Sequence, residues 1–242
     1  MDHPLLSIVV PAYNEERRLP HTLPRILAFL QAQDYPGEVV VVDDGSTDST
    51  ARVVEEIAAD LPYVTLIRNE HRGKGYAVNT GALAAHGDYI FLCDADLSMP
   101  IEEVTRFLPP ALEGYDVAIG SRLAPGSETT RSFRRELISR AYNRLIKAMF
   151  FTRFSDAQCG FKALSRQAAH ELLLHVKNEH WFLDTELLIL AEKGGYRIKD
   201  IPVRWVEDPD SRVRVASTAW EDIRGLLRLR FSRLPRRPPR GV

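Results

Sequence analysis

The sequence predicts an α/β fold in which a mostly parallel sheet carries helices on both faces. Short apolar runs alternate with segments of helical periodicity through the first half of the chain, and this alternation is typical of doubly wound sheets. The run at residues 39–42 is Val at every position, as expected of a strand buried on both faces. Polar and acidic residues follow several runs directly, at the edge where open sheets bind ligands.

The elements can be assigned in order along the chain. Predicted strands cover residues 5–10, 39–42, 64–68, 89–93 and 117–120, and the helices between them cover residues 18–33, 49–59, 74–85 and 102–112. The first helix has one apolar face, formed by Leu19, Leu23, Ile26, Leu27 and Leu30. Beyond residue 120 we predict helices at residues 133–151, 166–174 and 185–192, and a strand-like stretch at residues 197–206.

Composition excludes several classes of protein. The 242 residues are 45% hydrophobic and 27% charged, which is enough for a sizeable core. A net charge of -1 gives no indication of a nucleic-acid partner. The two cysteines have no metal-type spacing, so we expect a reduced, cytosolic setting. We expect neither a signal peptide nor a spanning helix, and the oligomeric state is left open.

The phrase Asp94-Ala95-Asp96 directly follows a predicted strand. Two carboxylates at a strand end suit a hard divalent cation such as Mg²⁺ or Mn²⁺. A cation at that edge can neutralise a diphosphate, so the phrase indicates chemistry on a nucleotide sugar.

Two other strand ends are predicted to meet the same edge. The first carries Tyr13, whose ring is suited to stacking on a base, and the second carries Asp43, which can accept from a ring N–H. Residues 46–48 are equally well explained as a helix N-cap. Lys74 precedes a helix and is placed to meet a phosphate. The P-loop and dinucleotide-binding glycine patterns are both missing, which disfavours NTPases and dehydrogenases.

The order of these motifs resembles that of family 2 glycosyltransferases, the inverting enzymes with a GT-A fold. The resemblance rests on residues 11–15, 43–48, 73–81 and 94–96. Later phrases resemble the branch that acts on dolichyl and polyprenyl phosphate, at residues 120–122, 156–162 and 181–188. The phrases at residues 158–162 and 203–207 are most similar to the glucosyltransferases of that branch.

The resemblance implies a role for each matched position. The nucleotide sugar would be held by Pro11, Ala12, Tyr13, Glu15, Asp43, Lys74, Asp94 and Ala95. Asp94 and Asp96 would bind Mg²⁺ or Mn²⁺ and the diphosphate. Arg122 and one of Arg134 or Arg135 would face the acceptor phosphate. Asp184 would be either a general base for an alcohol acceptor or a group that orients cations or donor hydroxyls.

The implied reaction transfers a hexose, with glucose from UDP-glucose as the first expectation, to a polyprenyl or dolichyl phosphate. A phosphate monoester is largely dianionic at neutral pH, so it needs no general base to attack. Arginine is suited to holding it. Attack opposite the leaving group would turn an α-linked donor into a β-linked product.

A lipid phosphate acceptor requires contact with a bilayer. Residues 133–154 and 220–234 mix arginines with large apolar residues, as interfacial helices do, so we expect peripheral attachment at the cytoplasmic face of the membrane. The predicted catalytic domain is residues 1–215, with a nucleotide-sugar half at about 1–122 and an acceptor half at about 123–215. A basic amphipathic helix at residues 216–234 and a disordered tail at residues 235–242 follow.

Three alternatives stay open on the sequence. The donor could be GDP-mannose. The acceptor could be a glycan or small alcohol, in which case Asp184 would act as the base. The chain could also be a non-catalytic subunit that binds a nucleotide sugar.

Overall fold

A seven-stranded sheet lies at the centre of the computed structural model, which describes residues 3–110, 113–130, 132–206 and 215–234. Its strands are β1 Leu6–Ala12, β2 Gly37–Asp43, β3 Val64–Arg68, β4 Tyr89–Leu92, β5 Val117–Ser121, β7 Lys162–Ser165 and β8 Ile198–Pro202. A separate two-stranded ribbon pairs β6 Glu128–Thr130 with β9 Arg204–Val206. The strand order across the large sheet is β3-β2-β1-β4-β7-β5-β8.

The large sheet is mostly parallel, as predicted. Only β7 runs against its neighbours, β4 and β5, while the other pairs are parallel. Because β1 lies between β2 and β4, the loops after these three strands leave the sheet side by side. The polar residues predicted at the three strand ends therefore meet at one edge.

Helices cover both faces of the sheet and create two cores. They are α1 Leu19–Gln31, α2 Thr50–Ala58, α3 Lys74–Ala84, α4 Phe133–Phe150, α5 Arg166–Leu173, α6 Leu183–Gly194 and α7 Val215–Phe231. Val9 and Val40 pack in the core that contains α3, α5 and α6. Ile8 and Val39 point the other way, into the core that contains α1 and α2. Each fully buried side chain of this size stabilises the fold by about 1.5–3 kcal/mol.

Several predicted elements were wrong in detail. The helix predicted at residues 102–112 is a 3-10 helix, Ile101–Phe107, which ends before Pro109 and Pro110. The last two residues of that prediction, 111 and 112, lie outside the described residues. The stretch at residues 197–206 is two strands in different sheets, because the chain leaves β5 after Pro202 and then pairs with β6. The strands β6 and β7 were not predicted.

The helices α4 and α7 contact each other, and α7 also contacts α6. The helix predicted at residues 216–234 is α7. The division of the chain into two functional halves stays a prediction. The tail predicted at residues 235–242 lies outside the described residues. Within the described part of the chain, no helix combines the length and hydrophobicity needed to cross a membrane.

Candidate active site

A cavity of about 880 Å³ opens at the carboxyl edge of the sheet, between the loops after β1, β2 and β4 and the helices α4 and α7. Most residues expected at the site line this cavity: Pro11, Ala12, Tyr13, Glu15, Lys74, Asp94, Ala95, Asp96, Arg122, Arg135 and Asp184. Two others, Asp43 and Arg134, are not among its lining residues. The roles of all of them stay predictions.

The loop after β2 builds the end of the cavity near Tyr13. Asp43 is used locally, because its Oδ1 accepts a hydrogen bond of 3.0 Å from the Ser46 amide. The next residue, Asp44, is 2% exposed and lines the cavity. Its carboxylate accepts from the amides of Arg72 at 3.1 Å and Gly73 at 2.8 Å. Asp44 therefore fixes the loop that leads into Lys74.

An aromatic stack covers one side of Tyr13. Its ring lies on the ring of His71, with centroids 4.0 Å apart and planes 14° from parallel. His71 Nδ1 lies 2.7 Å from Asp44 Oδ2, so the imidazole is held in place by the same carboxylate that fixes the loop. Tyr13 and His71 both line the cavity, so this stack places aromatic rings at its wall, which suits a nucleobase.

Asp94 and Asp96 follow β4 and form the acidic part of the cavity. Burial and the negative charge of Asp94 raise the pKa of Asp96 above its ordinary value. Lys74 supplies one cation, with Nζ 2.6 Å from Asp94 Oδ1. Burial alone would lower the pKa of Lys74, but the charges of Asp94 and Asp184 outweigh it and raise that pKa.

The carboxylate pair fits a divalent cation. No cluster of three His, Cys, Asp or Glu suited to a metal is found in the described ranges, so protein side chains would supply few ligands. Mg²⁺ is commonly held by one or two carboxylates together with substrate phosphates and water. Asp94 and Asp96 meet that requirement, since both carboxylates follow β4 and line the cavity.

Asp184 lies between two lysines at the start of α6. Its Oδ1 accepts a hydrogen bond of 2.7 Å from Lys162 Nζ, and Lys162 is fully buried. Its Oδ2 lies 3.9 Å from Lys74 Nζ. Asp184 thus links a structural lysine to the lysine that contacts Asp94.

Arg122 follows β5 and is held in a fork by Asp156. Its Nε and Nη2 donate to the two carboxylate oxygens at 2.7 and 2.9 Å. Burial would raise the pKa of Asp156, but the charge and hydrogen bonds of Arg122 outweigh it and lower that pKa. The guanidinium carbon also lies 5.1 Å from the ring centre of Trp205. Arg122 is therefore a rigid cation at the cavity wall.

The helix α4 brings a second arginine and a serine to the same cavity. Arg135 is half-buried and lines it, whereas Arg134 is exposed. Ser139 lies one turn further along α4, lines the cavity and is 5% exposed. Its buried Oγ has no hydrogen-bond partner within the described protein. A buried hydroxyl without a partner is unfavourable unless a ligand or water satisfies it.

These motifs are those of a sugar-transferring family. The sequence model named Glycosyl transferase family 2 matches residues 7–173 of the chain. The chain belongs to glycosyltransferase family 2. The resemblance inferred from the motifs is thereby confirmed.

Two relatives of this family 2 member show how far the similarity extends. The chain is 35% identical over 214 residues to glycosyltransferase AglD of Haloferax volcanii, covering 86% of this chain and 34% of AglD. It is 37% identical over 226 residues to the dolichyl-phosphate beta-glucosyltransferase of Drosophila melanogaster, covering 86% of this chain and 69% of that protein. The chain thus spans a minor part of the first relative and a larger part of the second.

A solved structure confirms the GT-A fold. Glucosyl-3-phosphoglycerate synthase from Mycobacterium tuberculosis, in complex with Mn²⁺, UDP-glucose and phosphoglyceric acid, matches with a TM-score of 0.71. The match covers 99% of this chain and 82% of that chain at 20% sequence identity. At this identity the likeness establishes the fold alone.

Sequence reasoning missed several side chains of this family 2 site. Asp44, His71 and Ser139 line the cavity, and Asp156 and Lys162 hold residues that do. One signal was available: Ser139 follows Arg135 by four residues, which places both on one face of a helix.

Proposed function

We propose that the protein transfers glucose from UDP-glucose to a polyprenyl or dolichyl phosphate and inverts the anomeric centre. The observation that carries the proposal is the composition of one continuous cavity. The carboxylates of Asp94 and Asp96 line it together with the cations of Arg122 and Arg135. A sugar diphosphate and an acceptor phosphate could therefore bind side by side.

The donor end would hold the nucleoside diphosphate. Tyr13 and His71 would contact the base, and Lys74 would lie near the diphosphate, since its Nζ is beside Asp94. A Mg²⁺ or Mn²⁺ ion at Asp94 and Asp96 would supply positive charge that stabilises the leaving diphosphate. Glucose and UDP are supported by the names of the relatives, which include a dolichyl-phosphate beta-glucosyltransferase and a synthase solved with UDP-glucose.

The acceptor end would hold a phosphate dianion. Arg122 and Arg135 would donate to its oxygens. A phosphate oxygen would attack C1 of the sugar while the bond from C1 to the diphosphate oxygen breaks, and the nucleoside diphosphate would leave with the electron pair. No proton has to be removed from the acceptor. Asp184, whose oxygens face Lys162 and Lys74, would orient Lys74 rather than act as a base.

The cavity leads to an apolar surface formed by α4 and α7. Exposed side chains of this surface are Phe133, Leu137, Ile138, Leu145, Trp220, Ile223, Leu227 and Phe231. Ile138, Leu145 and Ile223 also line the cavity, so the surface is continuous with the site. Exposed arginines such as Arg134 and Arg224 lie on the same helices, and each contributes about 1 kcal/mol near an anionic leaflet. We infer peripheral attachment at the cytoplasmic face, with the lipid tail leaving between α4 and α7.

The test is a transfer assay with the full chain, Mg²⁺ or Mn²⁺, vesicles that contain polyprenyl monophosphate, and a panel of UDP- and GDP-sugars. We expect labelled glucose in the lipid fraction as a β-linked product, and no labelling with Asp96→Ala. Asp60→Asn, at an exposed carboxylate that is not among the lining residues, is the matched control. Labelling from GDP-mannose instead would overturn the assignment of UDP-glucose as the donor. Labelling of a soluble alcohol but not of lipid would overturn the acceptor assignment.

A further inference from the structure

Asp222 is a carboxyl group of α7 that the reaction described above does not use. It is 4% exposed and lines the cavity. Its Oδ2 lies 3.3 Å from Nε2 of Gln158, and it also hydrogen-bonds the hydroxyl of Tyr142. A buried acid is thus built into the cavity wall by contacts from two other segments.

The position of Tyr142 places Asp222 at the acceptor end. Tyr142 follows Ser139 by three residues on α4, and both line the cavity together with Arg135. Residues three apart share a helix face. Asp222 therefore faces the part of α4 that would hold the acceptor phosphate.

Several groups around Asp222 set its charge. Burial and the neighbouring charge of Glu221 raise the pKa of Asp222 to about 7, the Tyr142 hydrogen bond opposes this, and the charge of Asp184 on α6 adds to it. Gln158 contributes a neutral amide. The carboxyl group is therefore divided between its protonated and ionised forms near neutral pH.

Two acids on α7 and α6 have hydrogen-bond partners of their own. Glu221 Oε1 accepts from Asn178 Nδ2 at 2.6 Å. On the facing helix α6, Glu186 accepts from Arg228 of α7 at 2.7 Å. The cations that line the same cavity, Arg122 and Arg135, would be occupied by the acceptor phosphate in the proposed complex.

We propose that Asp222 is an acceptor-binding residue, which donates a hydrogen bond to the acceptor phosphate when protonated and repels that phosphate when ionised. The inference rests on the proposed acceptor. A carboxylic O–H that donates to an anionic oxygen makes a strong hydrogen bond, whereas two neighbouring anions in a buried site oppose each other. Binding of the acceptor above neutral pH is then coupled to uptake of one proton by Asp222.

The experiment measures KM for a short-chain polyprenyl monophosphate in zwitterionic vesicles, with the full chain and with Asp222→Asn, from about pH 6 to about pH 8. Asn stays neutral and can still donate a hydrogen bond. Because the pKa of Asp222 is about 7, the ratio of the wild-type KM to the Asn KM should rise about tenfold over this range. Titration of the acceptor itself cancels in this ratio. The ratio of kcat values should not change.

A second variant keeps the test valid if Asp222→Asn does not fold. Glu221→Gln removes a charge that raises the pKa of Asp222, so the loss of acceptor affinity should begin at lower pH. Asp60→Asn should leave the profile unchanged, since Asp60 is exposed and is not a lining residue. A KM ratio that is constant with pH, with transfer intact, would overturn the role of Asp222. Absence of lipid labelling at every pH would instead show that a lipid phosphate is not the acceptor, and this would overturn the proposed function.

Discussion

Lys162 and Asp184 form an ion pair inside the protein, with Nζ 2.7 Å from Oδ1 and the lysine fully buried. Lys162 also donates to the carbonyl of Cys159, so its ammonium has partners from two segments. The pair connects β7, which is inserted antiparallel in the sheet, to the start of α6. The other carboxylate oxygen of Asp184 faces Lys74 in the cavity, so the buried ion pair is connected to the site.

Replacing Lys162 by Met should destabilise the fold by about 3 kcal/mol, because it leaves the charge of Asp184 with a single, more distant lysine. The free energy of unfolding in urea measures this loss. The double variant Lys162→Met with Asp184→Asn serves as the control, since it removes both charges. We expect the double variant to be more stable than the sum of the two single changes predicts. Simple additivity would show that the pair is not coupled.

Gly160 leaves room for the carboxylate of Asp94, because it has no side chain. A Cβ added there would overlap Oδ2 of Asp94 and lie 2.9 Å from its Cγ. Gly160→Ala should therefore displace the Asp94 carboxylate and lower kcat/KM by about tenfold or more. The free energy of unfolding should change by less than about 1 kcal/mol, since a side chain rather than backbone has to move. Titration of activity with Mn²⁺ should show a higher metal requirement, and an unchanged metal requirement would contradict the prediction.

The two adjacent arginines of α4 should behave differently. Arg135 lines the cavity, whereas Arg134 is exposed. Losing a hydrogen bond to a charged group costs about 1.5–3 kcal/mol, so Arg135→Gln should raise KM for the lipid phosphate by about tenfold or more. The matched variant Arg134→Gln should raise it much less. Equal effects in zwitterionic vesicles would mean that both act through general electrostatic attraction.

The sequence predicted the parallel strands β1 to β5 because short, mostly apolar runs alternate there with segments of helical periodicity. It did not predict β7, since Lys162–Ser165 is only four residues long and begins with a lysine. The charge of that lysine is balanced inside the protein by Asp184, which is distant in sequence. Long-range ion pairs of this kind leave no local pattern.

Contacts that leave no local pattern also limited the prediction of the site. The sequence placed two aspartates at the end of β2, and neither spacing nor type decides which of them faces the cavity. In the structure Asp43 accepts a hydrogen bond from the Ser46 amide within the turn. Asp44 accepts one from the amide of Gly73, directly before Lys74. The position of Asp94 and Asp96 at this edge was easier to predict, because both follow the predicted strand β4, which lies next to β1. Both line the cavity in the structure.

The exposed apolar side chains of α7 should bind a bilayer surface. Phe231 is 85% exposed, and burial of a side chain of this size in the interface contributes about 1.5–3 kcal/mol. Phe231→Glu should therefore weaken binding to anionic vesicles about tenfold or more in a sedimentation assay. Leu174→Glu is the matched control, since Leu174 is 73% exposed but follows α5, which packs against α3 and α6. If both variants lose vesicle binding equally, the contact is not specific to α7. If neither does, the lipid acceptor must reach the cavity without this helix lying on the membrane.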